Sequence, residues 1–265
     1  MSIADKYTTL TTEKIPKVYE AGYEKGKAEG GDTTEAYKQG VADGKQAEYD
    51  AFWDSYQDNG NRTDYSHAFG GLGWNNDTFK PKYSIAPTNA YMIFRQCDCD
   101  FGDFEGDLVS YLGSLGVSLD FSNAINTGYL FALASKITHI GEINAKGTGS
   151  NTVFDCCFQN CYALKTIDKL TFNQGKTAEF GTASFLNCTA LENVIMEGVI
   201  ANNGLNLQHS TKLSKASLEN IIGCLSKDAS GKTVTFSKTA VDNAFTEAEW
   251  DKILEENSNW TFSLK

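Results

Sequence analysis

The sequence predicts an α/β fold organised as a short solenoid of 27-residue repeats, with a helical N-terminal segment in front and α/β caps at its ends. Three observations predict it. Phe131-x-x-Ala134-x-x-Ile137-x-x-Ile140 is followed by Phe158-x-x-Cys161-x-x-Leu164-x-x-Ile167 and by Phe185-x-x-Cys188-x-x-Leu191-x-x-Val194, so four apolar positions recur with a period of 27. Tyr19, Gly22, Gly26 and Lys27 recur eighteen residues later as Tyr37, Gly40, Gly44 and Lys45, amid Ala, Glu and Lys. Behind the last 27-residue copy, helical and alternating patterns succeed one another to the end of the chain.

The domain boundaries come from these patterns. Residues 1–60 form a helical attachment or oligomerisation segment, 61–130 an N-terminal cap, 131–210 the repeats and 211–265 a C-terminal α/β cap. In the first segment Gly22, Gly26 and Gly30 fall four apart on one helix face, which lets another backbone approach closely. Each glycine costs about 1 kcal/mol against alanine in a helix, so the segment is expected to form firmly only against a partner. The competing reading is a pair of ordinary helices packed on their own domain. Asp32 and Glu35 have the spacing of a helix start after Gly30-Gly31, and the aromatic run Tyr49, Trp53 and Tyr56 is expected to dock on the N-terminal cap of the solenoid.

In a solenoid each pass of the chain buries its apolar residues only against its neighbours, so every pass must carry them in the same register. The Cys-Tyr-Ala-Leu and Cys-Thr-Ala-Leu sequences at 161–164 and 188–191 are expected to begin short parallel strands about 4.8 Å apart. Leu108, Leu112 and Leu115 predict a helix leading into a strand from Val117 to Phe121. On the C-terminal side, Leu218, Ile221, Ile222 and Leu225 have helical spacing and Thr233 to Phe236 reads as a strand. Thr246 and Glu249 have the spacing of a capping box ahead of Trp250, Ile253 and Leu254, and Trp260 to Leu264 alternates as a final strand.

Charge and composition narrow the function classes. A formal net charge of −11 and a pI near 4.8 argue against a nucleic-acid surface, which needs clustered Lys and Arg. No stretch has the length and apolarity of a membrane span, and residues 1–16 lack the apolar core of a signal peptide, so folding in a cytosol is expected. The seven cysteines are an odd number in a chain of this length and read as reduced thiols rather than a disulfide framework.

The candidate chemical groups favour structural roles. His67, His139 and His209 are scattered outside any nucleophile or metal motif, and His139 between Ile137 and Ile140 reads as a surface strand histidine. Cys156, Cys157 and Cys161 with Cys97 and Cys99 match no zinc spacing, while Cys161 and Cys188 share one repeat register as compact apolar groups. Asp98, Asp100, Asp103, Glu105 and Asp107 form an oxygen-rich run without the spacing of a calcium loop, and alternation with Cys97, Cys99 and Phe101 suggests a half-buried strand. Trp74, Phe79, Tyr83 and Tyr91 lie among Gly and Asn as in many carbohydrate surfaces, and cap packing accounts for them equally. No catalytic residue, cofactor or metal is expected.

The runs CCFQNCYALKTIDKLTF (156–172) and ASFLNCTALENVIME (183–197) resemble leucine-rich repeats of the BspA-like type, whose pattern is F-x-N-C-x-x-L-x-x-I. Phe158, Asn160, Cys161, Leu164 and Ile167 match it, as do Phe185, Asn187, Cys188, Leu191 and Val194; the copy at 131 departs with Leu133 for Asn and Ala134 for Cys. The closing segment from Lys212, KLSKASLENIIGCLSKDASGKTVTFSKTAVDNAF, and the leading segment from Ile15 are similar to proteins of this type in gut Firmicutes and their phages and prophages. The resemblance implies a virion structural protein of tail-fibre, baseplate or head-fibre type, assembled in the bacterial host cytoplasm. Its expected partners are other virion proteins through the N-terminal segment, a host surface protein or glycan, and further copies of itself. The same repeats serve bacterial cell-surface adhesins, the alternative reading, for which an export signal or wall anchor is expected.

Overall fold

A computed structural model describes residues 81, 84–97, 101–121, 124, 126–145, 152–172 and 178–265. The chain divides into two compact units, residues 1–62 with 80–82 and residues 63–79 with 83–265. The elements of the fold belong to the second unit; the helical segment expected at 1–60 lies outside the described residues.

The described elements are α1 (Leu108–Ser114), β1 (His139–Ala145), β2 (Thr152–Val153), β3 (Thr166–Phe172), β4 (Ala178–Glu179), β5 (Asn193–Glu197), β6 (Asn206–Leu207), α2 (Lys215–Gly223), β7 (Lys232–Phe236), α3 (Lys238–Ala244), α4 (Glu247–Glu256) and β8 (Trp260–Leu264). They make three parallel sheets, ordered β1-β3-β5, β2-β4 and β6-β7-β8. In the first, Ile140 lies beside Ile167 and Ile167 beside Val194, so neighbouring strands are 27 residues apart. These three side chains are buried together with Ile143, Leu170 and Met196.

The same spacing governs a column of tight turns. Phe131, Phe158 and Phe185 are each fully buried, with ring centroids 6.1 and 5.1 Å apart in successive pairs. Between them runs a ladder of backbone bonds: the Phe131 N–H donates to Cys157 O, the Phe158 N–H to Ser184 O, and the Asn160 N–H to Leu186 O. A fourth turn of this geometry lies in the segment read from sequence as a cap. Phe94 stacks on Phe131 at 5.1 Å with planes 1° apart, and its N–H donates to Leu130 O.

Each turn forces the residue two beyond the phenylalanine into left-handed backbone: Gln96, Leu133, Asn160 and Asn187 have φ between 61° and 65°. That explains the asparagine of the repeat pattern, because Asn tolerates this conformation better than other residues with a side chain. Asn187 Nδ2 also donates to Asn160 Oδ1 at 2.7 Å, joining two turns. Leu133 carries the strain without that compensation. Leu133→Asn is therefore expected to raise stability by about 1 kcal/mol, read as a higher urea midpoint.

Buried cysteines complete the column. Cys161 Sγ donates to Phe131 O and Cys188 Sγ to Phe158 O, each at 3.0 Å. Burial raises the Cys161 thiol well above its usual range and pushes Cys188 up to about 12, so both stay protonated donors. At the end of the ladder His209 Nδ1 accepts the Asn187 N–H at 3.0 Å, where a further turn would have supplied a carbonyl.

Several local expectations need correction. The Cys-Tyr-Ala-Leu and Cys-Thr-Ala-Leu runs do not begin strands: the Leu164 N–H returns to Cys161 O and the Leu191 N–H to Cys188 O, and the strands start at Thr166 and Asn193. Among the described residues Val117 to Phe121 makes a single bridge, Ile85 with Leu119. The Ile85 N–H donates to Ser118 O and the Asp120 N–H to Ile85 O; the next rung falls to Pro87, which has no N–H to give. Phe101 does not continue an alternating strand, because it has φ 58° and leads into a 3-10 turn at Gly102–Phe104, its ring stacked 4.6 Å from that of Tyr111.

The C-terminal part carries α2, capped by Ser214, and β7 and β8 in parallel register from Lys232 beside Trp260 to Phe236 beside Leu264. The capping box of α4 has both arms, Thr246 Oγ1 accepting the Glu249 N–H and Glu249 accepting the Thr246 N–H. α3, started by Ser237, has no counterpart among the sequence expectations; its buried face is only Ala240 and Val241.

Candidate functional site

The outer face of the β1-β3-β5 sheet carries a linked set of charged side chains, and a break in strand alternation shapes it. β1 and β3 bury residues three apart, Ile140 with Ile143 and Ile167 with Leu170, whereas β5 buries Val194 and Met196, two apart. The register shift between β3 and β5 falls between Ile167 and Leu170. Asp168 and Lys169 both occupy the outer side there, and such bulges re-aim side chains.

One product of the bulge is a pincer on His139. Nε2 lies 2.8 Å from Asp168 Oδ1 and Nδ1 lies 3.0 Å from Asp107 Oδ1. Asp107 belongs to the preceding pass, bridged in parallel to His139, and it caps α1 by accepting the Ser110 N–H at 3.0 Å and the Ser110 hydroxyl at 2.7 Å. The imidazole thus ties the start of α1 to two strands.

Burial opposes the charged imidazole, but hydrogen bonds to Asp107 and Asp168 and the charges of both outweigh it and raise the His139 pKa above 6.5. Burial likewise opposes the Asp107 carboxylate; the Ser110 N–H and hydroxyl and His139 outweigh it and lower the pKa below 3.8. A raised histidine pKa contributes stability that is full below the unfolded value and lost as pH rises through the folded value. A lowered carboxylate pKa contributes stability present above the unfolded value and lost as pH falls through the folded one. The pincer is therefore expected to be strongest between about pH 4 and 6.5. Melting temperature should fall as pH rises above this window, and His139→Gln should flatten that slope, measured by differential scanning calorimetry.

The chemistry open to this cluster is limited. Both ring nitrogens face carboxylates, and the hydroxyl bonded to the cluster, Ser110 Oγ, donates to Asp107 rather than to the imidazole. Nucleophilic catalysis needs the hydroxyl on the histidine. Beside the pincer, Lys169 Nζ sits 2.5 Å from Glu197 and 4.0 Å from Glu142, an exposed pair of small energetic weight.

A cleft of about 260 Å³ adjoins the pincer between α1 and β1. Val109, Leu112, Val117, Leu119 and Ile140 make its apolar wall, and Glu142 is the charged group on its lip. It lies on the side of β1 opposite β3, because His139 pairs with Asp107 on one edge and with Thr166 on the other.

Of the groups singled out in the sequence, the structure brings few together. His139 is held between its two carboxylates and His209 ends the turn ladder, while His67 lies outside the described residues. Cys97 is buried, Cys156, Cys157, Cys161, Cys188 and Cys224 are buried thiols outside any disulfide, and among the described residues no group of three His, Cys, Asp or Glu side chains is arranged to hold a metal ion. Asp103 and Glu105 are exposed and Asp107 faces His139; Asp98, Cys99 and Asp100 lie outside the described residues. Trp74, Phe79 and Tyr83 do so as well, and Tyr91 packs edge-on to Tyr129 at 5.9 Å. No described helix is long and apolar enough to cross a membrane.

The pincer and the cleft escape the sequence reading. The signal for the first is the three-residue apolar spacing of Ile140 to Ile143 and Ile167 to Leu170, which departs from strict alternation and marks an extra outward residue. No family model, curated protein or solved structure matches the chain.

Proposed function

We propose that the chain is a non-enzymatic recognition protein, a BspA-like leucine-rich-repeat solenoid carried on a bacteriophage virion as part of a tail fibre, baseplate or head fibre. The observation that carries the recognition scaffold is the common 27-residue register of Ile140, Ile167 and Val194 in the sheet and of the stacked Phe131, Phe158 and Phe185. Repeats in a fixed register present a rigid outer face, and here that face carries charged and polar groups held by one another. The virion assignment rests on the resemblance of the leading and closing segments to phage proteins.

In this reading residues 1–60 bind other virion proteins and assemble copies of the chain, while the repeat face meets a host surface protein or glycan. Display of several copies raises avidity through effective concentration, so no single contact need be strong. Mass spectrometry of purified virions tests the proposal: peptides of the chain at a fixed ratio to a capsid protein support it, and their absence removes it.

A further inference from the structure

We propose that the outer edge of β8 is a docking surface for a partner protein, which adds an extended segment there as a further strand and sets Lys or Arg against the acidic flank of α4. The proposal goes beyond the virion reading and does not depend on it.

The backbone supplies the first ground. β8 ends the order β6-β7-β8. The Lys265 N–H donates to Phe236 O and the Lys265 carbonyl accepts the Lys238 N–H, so the backbone groups of Lys265 face β7. Alternate residues of a strand direct these groups to opposite edges, which turns those of Thr261 and Ser263 toward β7 and those of Phe262 and Leu264 away from it. Among the described residues no hydrogen bond meets this second set. Such an edge recruits extended chains unless charge, proline or a bulge blunts it. Trp260–Leu264 contains no charged residue and no proline, and its register with β7 runs unbroken from Lys232 beside Trp260 to Phe236 beside Leu264.

Packing supplies the second. α4 buries none of its residues fully. Trp250 stands edge-on to Phe262 at 5.6 Å and Phe262 stacks on Phe236, so α4 covers the sheet face that carries Phe236, Phe262 and Leu264. Phe262, Leu264, Ile253 and Leu254 are only half-buried there. A strand laid beside β8 covers Phe262, Leu264 and Leu254 with the side chains of its own inner face.

Charge selects the partner. Glu249 lies 2.6 Å from Lys215 of α2, and α2 is bonded to β5 through Ser217 and Asn220, so this flank of α4 looks back along the repeats. Glu247, Asp251 and Glu255 follow one another four residues apart on the opposite flank, beside Leu254, and all three are exposed. Lys252 lies on the solvent side, 3.7 Å from Glu256, and Lys265 falls on the sheet face opposite Phe262 and Leu264. In a two-fold pairing of β8 with β8 of a second copy the acidic stripe would meet itself. A segment with Lys or Arg beside an apolar residue is complementary instead.

Two variants separate the edge from the rest of the protein. Leu264→Pro removes an N–H that faces outward and leaves the bonds to β7 in place, as prolines on edge strands do. Asp251→Lys with Glu255→Lys changes only exposed side chains and keeps the test decisive if Leu264→Pro misfolds. The full-length chain is panned against a yeast-displayed library of random heptapeptides, and a synthetic peptide of the selected consensus is titrated by fluorescence anisotropy. The expected consensus has an apolar residue and a Lys or Arg two positions apart, on one face of the added strand. Leu264→Pro should weaken binding at least tenfold at unchanged native mass by light scattering, and the double charge reversal should turn the selected charge from basic to acidic. Absence of a consensus, a consensus indifferent to the charge reversal, or undiminished binding to well-folded Leu264→Pro overturns the proposal. A native mass halved by Leu264→Pro overturns it as well, because the edge then pairs copies of the chain.

Discussion

Replacing Phe158 by alanine is expected to lower folding stability by about 3–5 kcal/mol, which is a large share of the roughly 5–15 kcal/mol that a domain has in total. The ring is fully buried between Phe131 at 6.1 Å and Phe185 at 5.1 Å, and Phe131 in turn stacks on Phe94. Truncation removes apolar burial and two ring contacts together, and the neighbouring rings cannot close the gap because their backbones are held by the turn ladder. Phe158 O also accepts the buried Cys188 thiol, so movement of this turn disturbs the next one. Urea denaturation followed by circular dichroism measures the loss. Tyr162→Ala, four residues along in the same pass and 49% exposed, should stay within about 0.5 kcal/mol. Similar losses at the two positions would show that the phenylalanine column is not the core of this unit.

How far the fold can be read from sequence depends on whether a pattern is set by one residue's neighbours or by the register of a whole pass. Phe131, Phe158 and Phe185 are evenly spaced in sequence and stand side by side in space, because nothing is inserted between them. Phe94 makes the same turn yet stays hidden: α1 lengthens its pass, so it precedes Phe131 by more than the common spacing. Phe94-Arg95-Gln96-Cys97 set beside Phe158-Gln159-Asn160-Cys161 is the remaining signal. The capping box at Thr246 and Glu249 is local and legible for that reason, whereas α3 has too few apolar residues to announce itself.

The candidate site is less legible because it is made by departures from regularity. Asp107, His139 and Asp168 come from three passes, and only the bulge at Asp168 and Lys169 brings the last carboxylate under the ring. The cleft exists because Asp107 serves a helix where a strand would otherwise run. Both features sit at the boundary between the insertion and the regular repeats, where periodicity has nothing to say about side-chain direction. That boundary also links them: the histidine that holds the start of α1 holds one wall of the cleft, so the pH window of the pincer is expected to be the window in which the cleft keeps its shape.

Two glycine-to-alanine substitutions are expected to move stability in opposite directions, and the contrast isolates backbone geometry from the loss of a glycine as such. Gly204 has φ 117°, a region L residues rarely adopt, and a Cβ there would overlap Phe180 O. The strained conformation alone costs about 1–3 kcal/mol, and the overlap adds to it because the obstacle is backbone rather than a mobile side chain. Gly204 stands just before β6, so relief would have to come from moving either β6 or the turn after β4. Gly204→Ala should therefore lose more than about 3 kcal/mol in urea denaturation. Gly113→Ala, in α1 with open space at its Cβ, should instead gain about 1 kcal/mol from helix propensity. A neutral Gly204→Ala would mean that β6 and the Phe180 turn are not held against each other, and with it would fall the close stacking of the last passes that sets where His209 meets the Asn187 N–H.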